Sequence, residues 1–533
     1  MVGDPIAAMW LLAWTPHAIT HGLNPLYTTL LNFPVGVNLA WNPTAPLLGL
    51  LSWPALLVGG PILQYNAALT FGVAATAWAG YLAACLRVRR RWLAVLGGLL
   101  FGMSPYVVGQ ALSHPALAVV PGVPLVAVAV EQAWFRHTWG PVRAGAALAG
   151  AVLVVLLVSE EVFGSMLIAG GLVLLGCGWT WRASWRLWLP RVLRTSAVAA
   201  LLVAPVLVGL LVVQFGWPGR ILGQPLPPAA FSGDLASLVI PNVTAVLAYP
   251  PWSGIVASFS NNPSEAGLYV GVPFLALLLF AWRGRWLEAR SGPWLSLLGV
   301  AAVLALGPTL HVWVVNTGIP LPARVLGALP VARDLVPVRF SLYVGLAVAM
   351  IVPAILDHVR SPSRRASWAR WLAVVGVLSW VPFAPIVSTV TVPSLFTAGA
   401  IPRGSVVLFG PADVTVDNDA PMLWQASAGF RFRTPAAYVV GRELAFLHPG
   451  NLPPFERSML VLQEHGRLGT PSPTLRRAVH VELERDRVTM LAVGPMPHEV
   501  AARSLVSDLV GAPGSKVGGV WVWNRPRAGW PAV

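Results

Sequence analysis

About ten long apolar runs, joined by short basic segments, constrain this chain more than any other feature of it. Their approximate limits are 62–86, 92–110, 116–134, 143–158, 162–179, 195–214, 267–282, 292–310, 340–356 and 371–389. A helix needs roughly 17 to 25 apolar residues to cross a bilayer. Backbone in hydrocarbon must satisfy its own hydrogen bonds, so runs of this kind are read as helix. The expectation is an all-α polytopic transmembrane bundle of about ten helices over residues 62–389. Composition agrees: 56% of the 533 residues are hydrophobic and 10% charged, against roughly a quarter charged in a soluble domain.

The charge that exists is unevenly placed. Before residue 389 there are nine acidic residues, 21 arginines and no lysine, while the last 145 residues hold the other eleven acids, fourteen Arg or Lys, and no long apolar run. That shift sets a boundary near Ser388 to Phe396 and a soluble domain at 397–533. In it Ser405–Pro411, Thr489–Val493 and Gly519–Trp523 read as strands, and Phe455–Gly466 and His498–Val510 as helices, a small α/β pattern. Seventeen of the 21 arginines fall in 87–91, 136–143, 182–194, 283–290 and 360–370, which are alternate connections. The positive-inside rule makes those cytoplasmic. The net charge of +15 follows from this placement and implies no nucleic-acid partner. Cys85 and Cys177 lie in apolar runs and read as small buried side chains rather than a disulfide or metal site.

The remaining connections are then extracytoplasmic: residues 1–61, the turn near His114, the turn Ser159-Glu160-Glu161, the loops 215–266 and 311–339, and the C-terminal domain. The apolar stretch 45–59 is short and proline-broken, and is read as a helix lying in the membrane interface, within a first outer loop spanning 1–61. An outer loop at residue 1 needs something to carry it across, so one more helix is expected upstream, with Met1 an internal start. The localisation implied is a multi-pass plasma-membrane protein.

Six of the nine acids before residue 389 fall on the outer side: Asp4, Glu160, Glu161, Asp234, Glu265 and Asp334. Ionisable groups near bilayer depth are costly and mark function, so the site is sought there. Asp4 is the sole carboxylate of the first 130 residues and reads as a base or metal ligand, or as the N-cap of a helix starting at Pro5. Trp10, Trp14, His17 and His21 follow it; the two tryptophans read equally as an interfacial belt. At least one of Glu160 and Glu161 is expected to point into the bundle. Arg333 and Arg339 flank the entry to a span at phosphate-headgroup level and suit a phosphate. The triplet Asn242-Val243-Thr244 matches a glycosylation sequon and is given no weight.

Gly3-Asp4-Pro5, His17 to Pro25, Pro34 to Leu39, Ser104-Pro105-Tyr106 and Pro337-Val338-Arg339-Phe340, in this order along an outer loop and the spans after it, resemble the GT-C membrane glycosyltransferases. That group of lipid-linked-sugar transferases includes aminoarabinose and protein mannosyl transferases. The resemblance covers roughly residues 1–390. It implies a polyprenyl-phosphate sugar as donor, an envelope glycan, lipid or protein as acceptor, and a site between the membrane and the first outer loop. It gives Asp4 the place of the family's outer-loop aspartate, which acts as base or positions the acceptor. Many relatives carry a second acid in that loop and this chain does not, so a divalent metal is left open and no other cofactor is implied.

On these terms Asp4 is the expected catalytic residue. Arg339 and Arg333 would stabilise the leaving phosphate, and His17, His21, Glu160, Glu161 and Glu265 would bind substrate. A lipid or polysaccharide transporter, and a degenerate transferase fold serving as an envelope-assembly scaffold, remain alternatives.

Overall fold

A computed structural model describes the chain except residues 1–3, 181–184, 222–230, 242–243, 249–254, 257, 260–261, 288–290, 330–331, 360–362, 383–388, 413–419, 442–451, 528 and 531–533. The sequon at 242–243 and the start of the expected domain boundary, Ser388, lie outside the described residues. The chain divides into two compact units: 1–66 with 209–225 and 387–533, and 67–208 with 226–386.

In the first unit, the N-terminal helix Asp4–Thr20 has 13 of its 17 residues buried, as expected of a helix apolar on every side. It packs on the helix Ala420–Ser427. Trp10 stacks on Trp14 at 5.4 Å, and Phe430 meets both rings edge-on. With 0% and 1% exposure, the two tryptophans are core residues of this unit. They are not an interfacial belt.

The stretch 45–59 is not one helix. It forms Pro46–Leu51 and then the first turns of Trp53–Cys85, which bends at Gly59 and Gly60, where Gly60 takes φ +72°.

The C-terminal part carries strands β5 (Val407–Gly410), β6 (Met490–Val493), β7 (Ser515–Val517) and β8 (Val520–Asn524) in the order β5-β6-β8-β7, after the short pairs β1 (Tyr27–Thr28) with β2 (Val37–Asn38) and β3 (Thr309–Val312) with β4 (Val315–Pro320). β5 and β6 are parallel; the helices Ala420–Ser427, Pro454–His465 and Pro473–Arg485 lie between them in sequence. β7 and β8 form a hairpin whose turn is Gly518-Gly519, both at positive φ, as a two-residue type I′ turn requires.

The second unit is helical and is organised around Ser341–His358, 15 of whose 18 residues are buried. Arg91–Gly102 lies against it so closely that a Cβ at Gly97 would sit 2.9 Å from the Ala349 carbonyl oxygen. Small residues at such crossings are how helices pack in lipid, where the hydrophobic effect supplies no drive. Other spans are peripheral: within the apolar 18-residue stretch of each, 17% is buried in Trp188–Gly216 and 22% in Glu160–Gly178, against 89% in Pro337–His358.

Among the described residues six helices are long and apolar enough to cross a membrane, and a seventh span arises if Arg91–Gly102 and Pro105–Ala111, bent by 45°, count as one. This is fewer than the ten expected, for local reasons. Val272–Arg283 and Gly292–Ala305 each begin with proline at the first turn and run only 12 and 14 residues. The last run starts early, at Arg364, because the Ser363 hydroxyl accepts the Ala366 N–H, and its 16 residues take in three arginines. At one end of the unit Arg87 and Arg136 reach Glu131 at 3.7 and 3.2 Å, and Arg90 reaches Asp357 at 2.9 Å. The basic connections 87–91 and 136–143 therefore share one end with the last turn of Ser341–His358.

Candidate functional site

The other end of the second unit holds a buried polar network. Gln110 and His114 stand one turn apart, at the end of Pro105–Ala111 and just past it. Glu161 opens the helix Glu160–Thr180, Glu265 lies in the short helix Pro263–Glu265, and Arg339 lies in Pro337–Phe340. The Arg339 guanidinium sits between two carboxylates. Its Nε donates to both oxygens of Glu265 at 3.0 and 3.2 Å, one terminal nitrogen donates to Glu265 Oε1, and the other to Glu161 Oε2. The Gln110 amide donates to Glu265 Oε2 at 2.9 Å, and His114 Nδ1 lies 2.7 Å from Gln110 Oε1, to which it donates. The Val336 N–H donates to the other Glu161 oxygen at 3.3 Å.

Glu265 has 1% of its side chain exposed and Arg339 16%. Burial pushes the Glu265 carboxyl up; Arg339 beside it, with His114 and Gln110, outweighs this and holds it below the usual carboxylate range. Tyr106, packed beside these charges, is fully buried and its hydroxyl lacks a hydrogen-bond partner.

Arg339 is held between two carboxylates, and Glu161 and Glu265 both bond to it, so three residues expected at a substrate site meet one another. Glu160, half-buried, takes no part in the network. Gln110 and His114 were not singled out from the sequence as site residues; a glutamine four residues before a histidine, at the end of an apolar run, is the signal that could have found them.

A second arginine pair lies elsewhere in the same unit. A cavity of about 220 Å³ is lined by Pro308, Arg324, Leu326, Arg333, Leu335 and Phe340, among others. Arg333 is half exposed, 3.9 Å from Asp334, and Arg324 is exposed. Burial raises the Asp334 carboxyl, with Arg333 opposing. Two guanidinium groups over apolar walls suit a phosphate attached to a hydrocarbon chain.

In the first unit Asp4 opens the N-terminal helix and is half-buried; the Tyr438 hydroxyl donates to its Oδ1 at 3.1 Å. His17 stacks on His21 at 4.1 Å and lies 4.5 Å from Phe430. Burial, then the neighbouring His21, lowers the His17 imidazole to about 4, so it is neutral at pH 7. Among the described residues no three His, Cys, Asp or Glu side chains gather as a metal ion would require.

Neither a protein-family model nor a curated protein matches the sequence. Solved structures do. The arabinofuranosyltransferase AftD from Mycobacteria aligns with 98% of this chain at 16% identity and a TM-score of 0.51, and a mutant of it at 17% and 0.52. ArnT from Cupriavidus metallidurans aligns with 98% of this chain and 93% of its own at 12% identity, with a TM-score of 0.44 that carries no weight here. This chain spans only 40% of the length of AftD. At such identities the likeness speaks for architecture alone: the chain shares the fold of AftD over the part of AftD that it spans.

Proposed function

We propose that this protein is a membrane glycosyltransferase that moves a sugar from a polyprenyl-phosphate donor to a cell-envelope glycan, lipid or protein, on the outer face of the plasma membrane. The single observation carrying this reading is the alignment of 98% of the chain with AftD. Since AftD is by its name a pentosyl transferase, a pentose is the first sugar to try. On this reading the C-terminal domain is extracytoplasmic, on the side of the envelope acceptor.

The transfer breaks the bond between the anomeric carbon and the donor phosphate oxygen and forms a bond from that carbon to an acceptor oxygen. The acceptor proton goes to the base, for which Asp4 is proposed; the Tyr438 hydroxyl that donates to it orients the carboxylate. The polyprenyl phosphate leaves with added negative charge. Arg333 and Arg324, in the cavity of the second unit, are proposed to bind it in place of Arg339. His17 and His21 retain a proposed role in holding sugar or acceptor, as neutral hydrogen-bonding groups. A divalent ion would supply charge neutralisation at the phosphate; among the described residues no three His, Cys, Asp or Glu side chains gather to hold one.

The scaffold reading draws on one observation, that the most buried arginine of the outer end is held by two carboxylates rather than open to substrate. Transfer of radiolabelled sugar from polyprenyl-phosphate pentoses and hexoses, by the full chain in proteoliposomes with envelope acceptors, separates the two. Transfer that Asp4→Asn lowers by about 10²- to 10⁴-fold supports the enzyme and its base. Equal transfer by the variant removes Asp4 from the mechanism, and a folded protein that transfers nothing favours the scaffold.

A further inference from the structure

The antiparallel pair β3–β4 ends in a two-residue turn, with Val312 opposite Val315 and Trp313-Val314 between them. Both turn residues adopt positive φ, +55° and +71°. Turns of this kind belong to Asn-Gly or Gly-Gly; a tryptophan is disfavoured there and a β-branched valine is an outlier. Such strain persists only where the surroundings over-determine it, and here the carboxylate of Asp234 does so. Asp234 is 1% exposed; one of its oxygens accepts the Trp313 N–H at 3.0 Å and the other the Val314 N–H at 2.7 Å.

What this anchored turn displays is apolar. Trp313 is 49% exposed, Val314 48%, Val315 65% and Ile319 53%. A hairpin meant for water has no use for such a tip.

The occupant that fits is a lipid surface. The hairpin begins four residues after the apolar helix Gly292–Ala305, and its loop re-enters a candidate span at Pro337, so the chain on both sides of it is apolar helix. Four residues reach at most about 14 Å, which keeps the strand start near headgroup level. The same loop carries the exposed cations Arg324 and Arg333 against the single acid Asp334, a balance that attracts anionic headgroups. Tryptophan, with an apolar body and a polar N–H, favours that boundary.

We propose that the Trp313–Val314 tip is seated in the bilayer at the boundary of headgroups and acyl chains, a membrane anchor built on a strained turn that Asp234 holds. The proposal does not depend on the transferase reading.

The test uses the full chain with Cys85 and Cys177 replaced by alanine, in nanodiscs of phosphatidylethanolamine and phosphatidylglycerol. A bimane label is placed at Trp313→Cys, at Val315→Cys and, for comparison, at Val500→Cys, which is 74% exposed in the C-terminal domain. Val315 lies outside the strained turn, so its variant keeps the test alive if the first does not fold. Doxyl-labelled lipid is expected to quench positions 313 and 315 at least about threefold more than position 500, with iodide showing the reverse order. Iodide access at 313 and 315 equal to that at 500 overturns the proposal. So does protection from both quenchers, which would mean that a second copy or another protein covers the tip.

Discussion

The indole nitrogen of Trp10 donates a 2.6 Å hydrogen bond to the side-chain oxygen of Gln425, deep in the first unit. The Gln425 amide nitrogen in turn donates to the carbonyls of Leu30 and Phe432 at 3.1 and 2.8 Å. One side chain thus ties the N-terminal helix and the loop at Leu30 to the C-terminal part of the first unit.

Gln425→Leu strands a buried indole N–H and two carbonyls, and is expected to cost on the order of 3 kcal/mol. Thermal unfolding of the purified protein reads this. Adding Trp10→Phe should cost less than the sum of the two single changes, because the partners are coupled.

Glu265→Gln leaves Arg339 with one carboxylate in a nearly dry site. The expected loss is about 3 to 5 kcal/mol, the usual result of breaking a buried ion pair from one side. Replacing all three charged groups, Arg339→Met with Glu265→Leu and Glu161→Leu, should recover much of it, since no carboxylate is then left without its cation. If denaturation curves show the triple variant no better than the single one, the network is more than a charge-matched plug. Because the Glu265 carboxyl is held low, its contribution is present above the ordinary carboxylate range and is lost as pH falls through the depressed value.

Glu456 and Glu482 bring the opposite dependence. Both are 2% exposed, and burial raises both carboxyls; Glu456 beside it raises Glu482 further, whereas the hydrogen bond with Glu482 opposes the rise at Glu456. A raised acid stabilises the fold at low pH and loses that contribution as pH rises from the unfolded glutamate value toward the folded one. Glu482→Gln should therefore raise the melting temperature more at pH 8 than at pH 5, by on the order of 2 kcal/mol in stability at the higher pH.

His17, lowered to about 4, resists protonation in the folded state. Its effect is absent above the ordinary histidine range near 6.5 and turns destabilising as pH falls from there toward 4. His17→Gln should flatten the melting temperature across that interval, and a slope that persists would move the cause to another group.

The membrane character was legible because span length and apolarity are local properties. What the sequence hid was long-range. Glu161, Glu265 and Arg339 each stood out as an outer-face charge, yet nothing within a few residues of any of them announces that they neutralise one another across 178 and 74 positions. Trp10 and Trp14 looked as suited to a lipid boundary as to a core, since an indole has an apolar body either way; Gln425 and Phe430, four hundred residues on, decided it. Span limits shifted where a short-range signal outweighed apolarity, as where Ser363 capped a helix ahead of the apolar run. The strained tip at Trp313 and Val314 left no trace in the sequence, because Asp234, which holds it, lies about eighty residues upstream.

The burial of the N-terminal helix also sets a schedule. The ribosome makes Trp10 415 residues before Gln425, and at about 5 to 20 residues per second that interval lasts roughly 20 to 80 s. Through it, a helix apolar on every side has no finished partner, so something other than its final neighbours must shelter it from water. Lipid is the nearest candidate, and slowing translation between the two halves of the first unit should lengthen the time the helix is accessible to lipid-borne crosslinkers.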